Sequence, residues 1–321
     1  MQYRPLGRTK IEISAVLFGG WQAGKSGWVD VDDDQTIAAH RAAFDSGITT
    51  FDTAEAYGEG HSEQILGKAL GDKRDQIVIA TKVWAANLKP DLVVEACERS
   101  LRNLGTDRID LYQIHWPSGT FGSDIVPIAD TLGAMTALKE QGKIRAIGVS
   151  NFSRAQLEEA AGFARIDSIQ PPYSLFWRQI EDEAGAYCAQ NKISILAYSP
   201  LAQGLLTGKF GREHTFDKED NRATNKLFQG ELYERAQNAL DKLRPLADKY
   251  GVSVGNLSLA WLIAQPQTSA IVGARNSEQA TQNALAGDVE IDADDLEAID
   301  EVGHTVTDRL DKNPIMWNWG G

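Results

Sequence analysis

A chain of 321 residues, 42% hydrophobic and 24% charged, is long enough to bury a large core and has the make-up of a globular enzyme, built as one barrel or two domains. Its formal net charge of −13 repels phosphate backbones and anionic lipid, which argues against nucleic acid and membrane surfaces as partners. Any anionic ligand then needs a local basic site.

Residues 3–13 read as a short hairpin, with Gly7 in the turn and Ile11 and Ile13 alternating, that plugs or caps the repeating strand–helix pattern after it. Residues 15–18 form a brief apolar strand ending in Gly19-Gly20-Trp21, and 32–46 a helix that is acidic at its start and closed by Gly47. The alternation continues with strand 49–52 and helix 62–70, strand 77–82 and helix 90–104, strand 109–115 and helix 127–141. Strand 144–150 precedes helix 153–161, for which Ser153 is a natural N-cap. Strand 168–170 precedes helix 181–191, and strand 194–198 leads through a long loop to helices 233–250 and 254–264. Strand 270–272 precedes helix 277–286, and a last helix, 292–302, carries an N-cap signal at Asp292.

Eight strand–helix units with no linker or low-complexity tract predict a closed parallel (β/α)8 barrel over a single domain, 1–321, with an N-terminal hairpin and extra C-terminal helices. The short, Ile/Val/Ala-rich strands suit burial on both faces. A doubly wound sheet with a second domain is the alternative, weakened because no GxGxxG follows any strand. Cys97 and Cys188 both fall in helical patterns without metal-ligand spacing, so they read as reduced core thiols, and no metal site is expected. The amino terminus shows no leader-like apolar core and no run of about 18 apolar residues occurs, so the expected compartment is the cytoplasm.

Four successive strands end in chemistry. Asp52 ends the second, with Tyr57 in its loop; Lys82 ends the third, His115 the fourth, and Ser150 and Asn151 the fifth. A lone buried Asp or Lys is usually half of a structural ion pair, and a lone His after a strand is more often a satisfied core residue. In a barrel, however, these ends meet at one mouth. Trp21, Trp84 and Trp116 also fall at strand ends and either line that mouth with Tyr57 and His115 or pack the core. Trp317 and Trp319, in the tail 313–321, either fold over the pocket or lie on the surface. The acidic run 30–34 reads as solvated charge at a helix start.

In this order the motifs resemble those of the aldo-keto reductases: Phe51-Asp52-Thr53-Ala54-Glu55-Ala56-Tyr57-Gly58, Ser62-Glu63, Ala80-Thr81-Lys82, Gln113-Ile114-His115-Trp116 and Gly142-Lys143-Ile144-Arg145. The likeness continues through Ile147-Gly148-Val149-Ser150-Asn151-Phe152, Tyr198-Ser199-Pro200-Leu201, Thr207-Gly208-Lys209 and Gly273-Ala274-Arg275, and it spans residues 4 to 302. The short loops are most similar to those of the bacterial subgroup related to potassium-channel β subunits. The resemblance implies a catalytic tetrad of Asp52, Tyr57, Lys82 and His115 and a reversible reduction of aldehydes and ketones to alcohols. Chemically, Lys82 is then expected to lower the Tyr57 pKa, Asp52 to keep the lysine charged, and a neutral His115 to bond the carbonyl oxygen.

The same resemblance implies NADP(H) as the preferred cofactor, with NAD(H) as the alternative. Gly20, Trp21, Asp52, Ser150, Asn151 and Gln170 would surround the nicotinamide, with Tyr198 stacked on its ring. Ser199, Pro200, Leu201, Gln203, Gly204 and Lys209 would wrap the pyrophosphate, although that loop is equally readable as an ordinary connection. Gly273, Ala274, Arg275, Gln279 and Asn283 would hold the adenosine end, Arg275 facing a 2′-phosphate. Better-known animal members carry lysine where this chain has Gly273, so the NADP preference rests largely on Arg275. The expected partner is a small carbonyl or alcohol, with the protein a monomer or homo-oligomer. Two other functions fit the sequence less well: a cofactor-sensing binding subunit, and a Schiff-base lyase using Lys82.

Overall fold

The computed structural model describes residues 1–25, 31–217 and 220–311. Trp28, Asp30 and the tail with Trp317 and Trp319 lie outside the described residues. The hairpin is β1 (Tyr3–Pro5) against β2 (Glu12–Ser14), antiparallel with Arg4 opposite Ile13. The eight barrel strands are β3 (Val16–Gly19), β4 (Thr50–Asp52), β5 (Val78–Val83), β6 (Ile109–Ile114), β7 (Ile144–Ser150), β8 (Ser168–Gln170), β9 (Ser194–Ala197) and β10 (Thr268–Gly273). They pair in parallel in chain order, and β10 returns to β3 with Ala270 opposite Val16, which closes the barrel.

The pleat sorts the barrel interior into layers, because residues two apart point the same way. Leu17, Ala80, Leu111, Ala146, Leu196 and Ile271 form one apolar cluster, which Leu6, Ile11 and Ile13 of the hairpin join from the N-terminal end. The hairpin is thus a plug. Its turn needs glycine: Gly7 has φ +54°, and a Cβ there would stand 2.4 Å from the Asp167 carbonyl oxygen. Two residues further along the strands the inward positions turn polar, with Lys82 after Ala80 and Gln113 after Leu111.

Around the barrel run α1 (Asp33–Asp45), α2 (His61–Leu70), α3 (Pro90–Leu104), α4 (Ile128–Glu140), α5 (Arg154–Ala161), α6 (Ala186–Asn191), α7 (Gly230–Lys249), α8 (Val254–Ala264), α9 (Ser277–Ala284) and α10 (Ala293–Thr307). Ser153 caps α5 in a reciprocal capping box with Gln156. The helix expected over 181–191 begins instead with a wide π-helical turn, Glu181–Gly185, before α6. Asp292 occupies the N-cap position of α10, but its carboxylate makes no capping bond and lies 3.7 Å from Lys249 instead. Cys97 and Cys188 are free and buried, and burial pushes each thiol up to about 12. Among the described residues no helix is long and apolar enough to cross a membrane, and no cluster of side chains has the make-up to hold a metal ion.

Candidate active site

The polar layer converges on Asp52, at the last position of β4. Its Oδ1 accepts a hydrogen bond from Lys82 Nζ at 2.6 Å, and its Oδ2 accepts from Gln170 Nε2 at 2.9 Å and Gln113 Nε2 at 3.3 Å. Lys82 is fully buried and also donates to the Thr53 carbonyl at 2.8 Å and to the Tyr57 hydroxyl at 3.4 Å. Burial acts to lower the Lys82 pKa, but Asp52 and Tyr57 outweigh it, so the ammonium stays charged to higher pH than an ordinary lysine.

Lys82 pulls the Tyr57 phenol down as expected, but it does not set the net direction. Burial raises the phenol pKa, and the opposing pull of Lys82 is the smaller effect, so Tyr57 remains a neutral O–H donor through neutral pH. His115 lies one residue past β6, where its backbone N–H donates to the Val83 carbonyl at 2.9 Å. Burial first and Lys82 second hold its imidazole well below the ordinary histidine value, so it is neutral. The ring stands between Tyr57, centroid 5.6 Å away, and Trp84, 5.2 Å away, each meeting it at 80°. Trp84 stacks on Phe121 at 5.1 Å, and Trp116 meets Phe121 edge-on.

The Tyr57 loop is pinned to the Trp21 segment by backbone contact. A Cβ on Gly24 would stand 2.6 Å from the Tyr57 carbonyl carbon, and one on Gly58, at φ +62°, 2.3 Å from the Gly24 oxygen. Only glycine lets these two chains lie so close.

Above Asp52 opens a cavity of about 970 Å³. Trp21, Tyr57, Trp84, His115 and Trp116 line one part of it. Ser150, Asn151, Gln170, Tyr198, Ser199, Pro200, Leu201, Gln203, Gly204, Lys209, Gly273, Arg275, Gln279 and Asn283 also line it, with Phe210, Phe216 and Arg222 among others, while Lys82 sits beneath. Gly20 and Ala274 do not line it. The Gly20 amide donates to the Asp52 carbonyl and its own carbonyl accepts from Ser62 Oγ, so it braces two strand ends; Ala274 is packed in the core.

Two expected contacts are engaged within the protein. Asn151, left-handed at φ +59°, donates from Nδ2 to the His115 carbonyl and Ser150 Oγ and accepts from the Tyr198 hydroxyl at 2.9 Å. Gln170 gives its amide to Asp52. The loop after β9 holds Ser199, Ala202, Gln203 and Gly204 at positive φ, a run of the kind that curls backbone amides into an anion-binding concavity.

Lys209 is brought below the usual lysine pKa by burial and by Arg222 and Arg275, so three cations gather there. Arg222 was not expected from the sequence. It is held by a two-pronged pair with Asp220 and lies over the rings of Phe210 and Phe216. Its segment has no periodicity, and only the Asp-x-Arg spacing hints at it. Gln113 stands in the Gln-Ile-His-Trp motif, yet its hold on Asp52 comes only from the register that sets it beside Lys82.

Comparison with known proteins gives the same outline. Residues 15–304 match the family model described as "Aldo/keto reductase family". The chain is 40% identical to aldo-keto reductase YhdN of Bacillus subtilis, covering 99% of this chain and 94% of that one. It is 35% identical to an NADH-specific methylglyoxal reductase of Escherichia coli, over 92% of this chain and 96% of the relative. A probable voltage-gated potassium channel β subunit of Arabidopsis thaliana is 31% identical over 90% of this chain and 92% of that one. Among solved structures, a glycerol dehydrogenase of Gluconobacter oxydans superimposes with a TM-score of 0.88 at 33% identity, covering 98% of both chains. An aldo-keto reductase of Klebsiella pneumoniae in complex with NADPH gives 0.77 at 29% identity, covering 98% of this chain and 99% of that one.

Proposed function

This chain belongs to the aldo/keto reductase family of oxidoreductases, and from that premise we propose that it is an NADPH-dependent reductase of small aldehydes and ketones, reversible with alcohols. The observation that carries the reading is Lys82, buried beneath the cavity with its ammonium 2.6 Å from Asp52 and 3.4 Å from the hydroxyl of Tyr57, both of which line it.

The residues fit a dinucleotide. Its phosphates suit the positive-φ loop and the cations Lys209, Arg222 and Arg275, and its amide end suits the side-chain oxygens of Ser150, Asn151 and Gln170, since the Asn151 and Gln170 N–H groups are bonded within the protein. When bound, a reduced nicotinamide supplies the hydride for the carbonyl carbon. Tyr57, kept protonated by burial, gives its proton to the developing alkoxide, and the neighbouring Lys82 cation stabilises the phenolate left behind. Asp52 holds that cation in place. His115, neutral, bonds the carbonyl oxygen and orients it. The aromatic wall of Trp84, Trp116 and Phe121 favours a substrate with a planar apolar group.

NADP(H) is preferred because three cations gather at one rim, and the NADPH complex of the Klebsiella relative supports it. NAD(H) is the alternative, supported by Asp220 in the same cluster and by the NADH-specific relative. The protein acts on small molecules in the cytoplasm. Initial rates with NADPH and NADH against aryl aldehydes, alkyl ketones and α-dicarbonyls test the proposal, and oxidation of neither cofactor by any of them overturns it.

A further inference from the structure

The buried Nδ1 of His115 has no hydrogen-bonding partner among the described residues. A histidine that works through one ring nitrogen is ordinarily oriented by a bond at the other. Here orientation falls to the two flanking rings, and it is only as good as their own placement.

Tyr57 is held by its loop, with its backbone N–H on the Ala54 carbonyl at 3.0 Å and its hydroxyl beside Lys82. Trp84 lies one residue past β5, where strand pairing has ended. Its backbone N–H is taken by Glu55 Oε1 at 2.8 Å, and the same oxygen accepts from Asn87 Nδ2, in the next turn, at 2.9 Å. Glu55 Oε2 accepts from Arg99 Nη2 of α3 at 2.9 Å, and the Glu55 side chain is only 9% exposed. One nearly buried carboxylate, two residues before Tyr57, therefore ties the Tyr57 loop to the segment that carries Trp84.

We infer that Glu55 is a positioning residue for His115: by fixing Trp84 against the Tyr57 loop, it sets the width of the slot in which the imidazole stands. The inference rests on the proposed reductase activity, since it concerns how that site orients a carbonyl. A residue needed only for folding would lower stability and affect every substrate alike. Glu55 acts through Trp84, and the effect must vanish when Trp84 is gone.

The test compares Glu55→Ala, Trp84→Ala and their double variant, with Glu55→Gln, using benzaldehyde and propanal as substrates. In Glu55→Ala, kcat/KM for benzaldehyde falls about tenfold while the NADPH Kd is unchanged, and the loss for propanal is smaller. In the Trp84→Ala background the same substitution costs less than about twofold. Glu55→Gln, which keeps an acceptor for the Trp84 N–H, recovers most of the activity. Additive losses in the two backgrounds overturn the inference.

A second readout needs no turnover. In protein labelled with 5-fluorotryptophan, the Trp84 ¹⁹F resonance shifts or broadens in Glu55→Ala while the other seven of the eight tryptophans hold. An unmoved Trp84 resonance overturns the inference. Failure of the wild type to reduce any carbonyl overturns only the reductase activity, because the resonance is still read. If Glu55→Ala does not fold, Arg99→Leu, which frees the other carboxylate oxygen, takes its place in both measurements.

Discussion

The floor and the rim of the cavity are built by different means. At the floor, Asp52 and Lys82 stand on strands, His115 one residue beyond a strand and Tyr57 in a loop pinned by glycine contacts. Backbone register fixes their separations. At the rim, Lys209, Arg222 and Arg275 reach the same place from three segments outside the barrel strands, where their like charges repel and the Asp220 carboxylate paired with Arg222 offsets part of the repulsion. A register-built site fails in large steps when one member goes, whereas a charge-built rim loses affinity by degrees.

Lys82→Met is the harshest test of the floor. It strands the Asp52 carboxylate, 3% exposed, and breaking a buried pair typically costs about 3–5 kcal/mol. Turnover should fall at least ~100-fold as the phenolate loses its cation. Urea denaturation and steady-state rates check both, and a variant of normal stability and rate would dissolve the contrast.

Tyr57→Phe should cut kcat by about 10²–10⁴-fold with cofactor affinity almost unchanged, because the ring stays and only the acid is lost. His115 is held neutral, so the residual rate should be flat from about pH 6 to 8. A rise toward pH 6 would mean that imidazolium is replacing the phenol.

The packing of α1 on the barrel has an acid limit of its own. His40 is buried against Phe18 and Phe51, with Nδ1 2.8 Å from the Thr36 carbonyl, and burial lowers its pKa to about 4. The unfolded chain, titrating near pH 6.5, binds that proton first. Stability is therefore full above about pH 6.5 and lost on the way down to about pH 4, by an amount on the order of 3 kcal/mol. His115 contributes in the same direction. Urea midpoints against pH should show the slope, and His40→Phe should flatten part of it.

Arg275→Ala tests the rim and should do least. A charge-assisted contact to a 2′-phosphate is worth about 1.5–3 kcal/mol, so NADPH affinity falls roughly tenfold or more while NADH is barely touched. Equal losses for both cofactors, read by fluorescence titration, would move the 2′-phosphate elsewhere.

The same contrast decides what was legible in the sequence. The barrel was readable because each strand is a short apolar run and most helices end in glycine, signals that local sterics enforce. Lys82 beside Asp52 was readable because both lie at strand ends of neighbouring units. The direction of the Tyr57 shift was not, because it depends on how deeply a loop residue sinks, and burial there outweighs the charge that sequence reasoning weighed. Arg222 was hard to find for a related reason: beyond the Asp-x-Arg spacing, nothing local marks the residue that tertiary packing carries to the rim. Asp292 sat at the right position with the wrong partner, since a cation on α7 competes for its carboxylate.

The pairing of Val16 with Ala270 has a consequence for how the chain acquires this shape. The first barrel strand has its closing neighbour more than 250 residues away, so during synthesis it must wait, one edge unpaired, until β10 emerges. The hairpin beneath it cannot be sealed in before the ring shuts. Contacts of such long sequence separation slow folding and leave an unpaired strand edge open to association. Pulse-labelled hydrogen exchange should find β3 and the hairpin protected late, with β5, β6 and β7 already ordered.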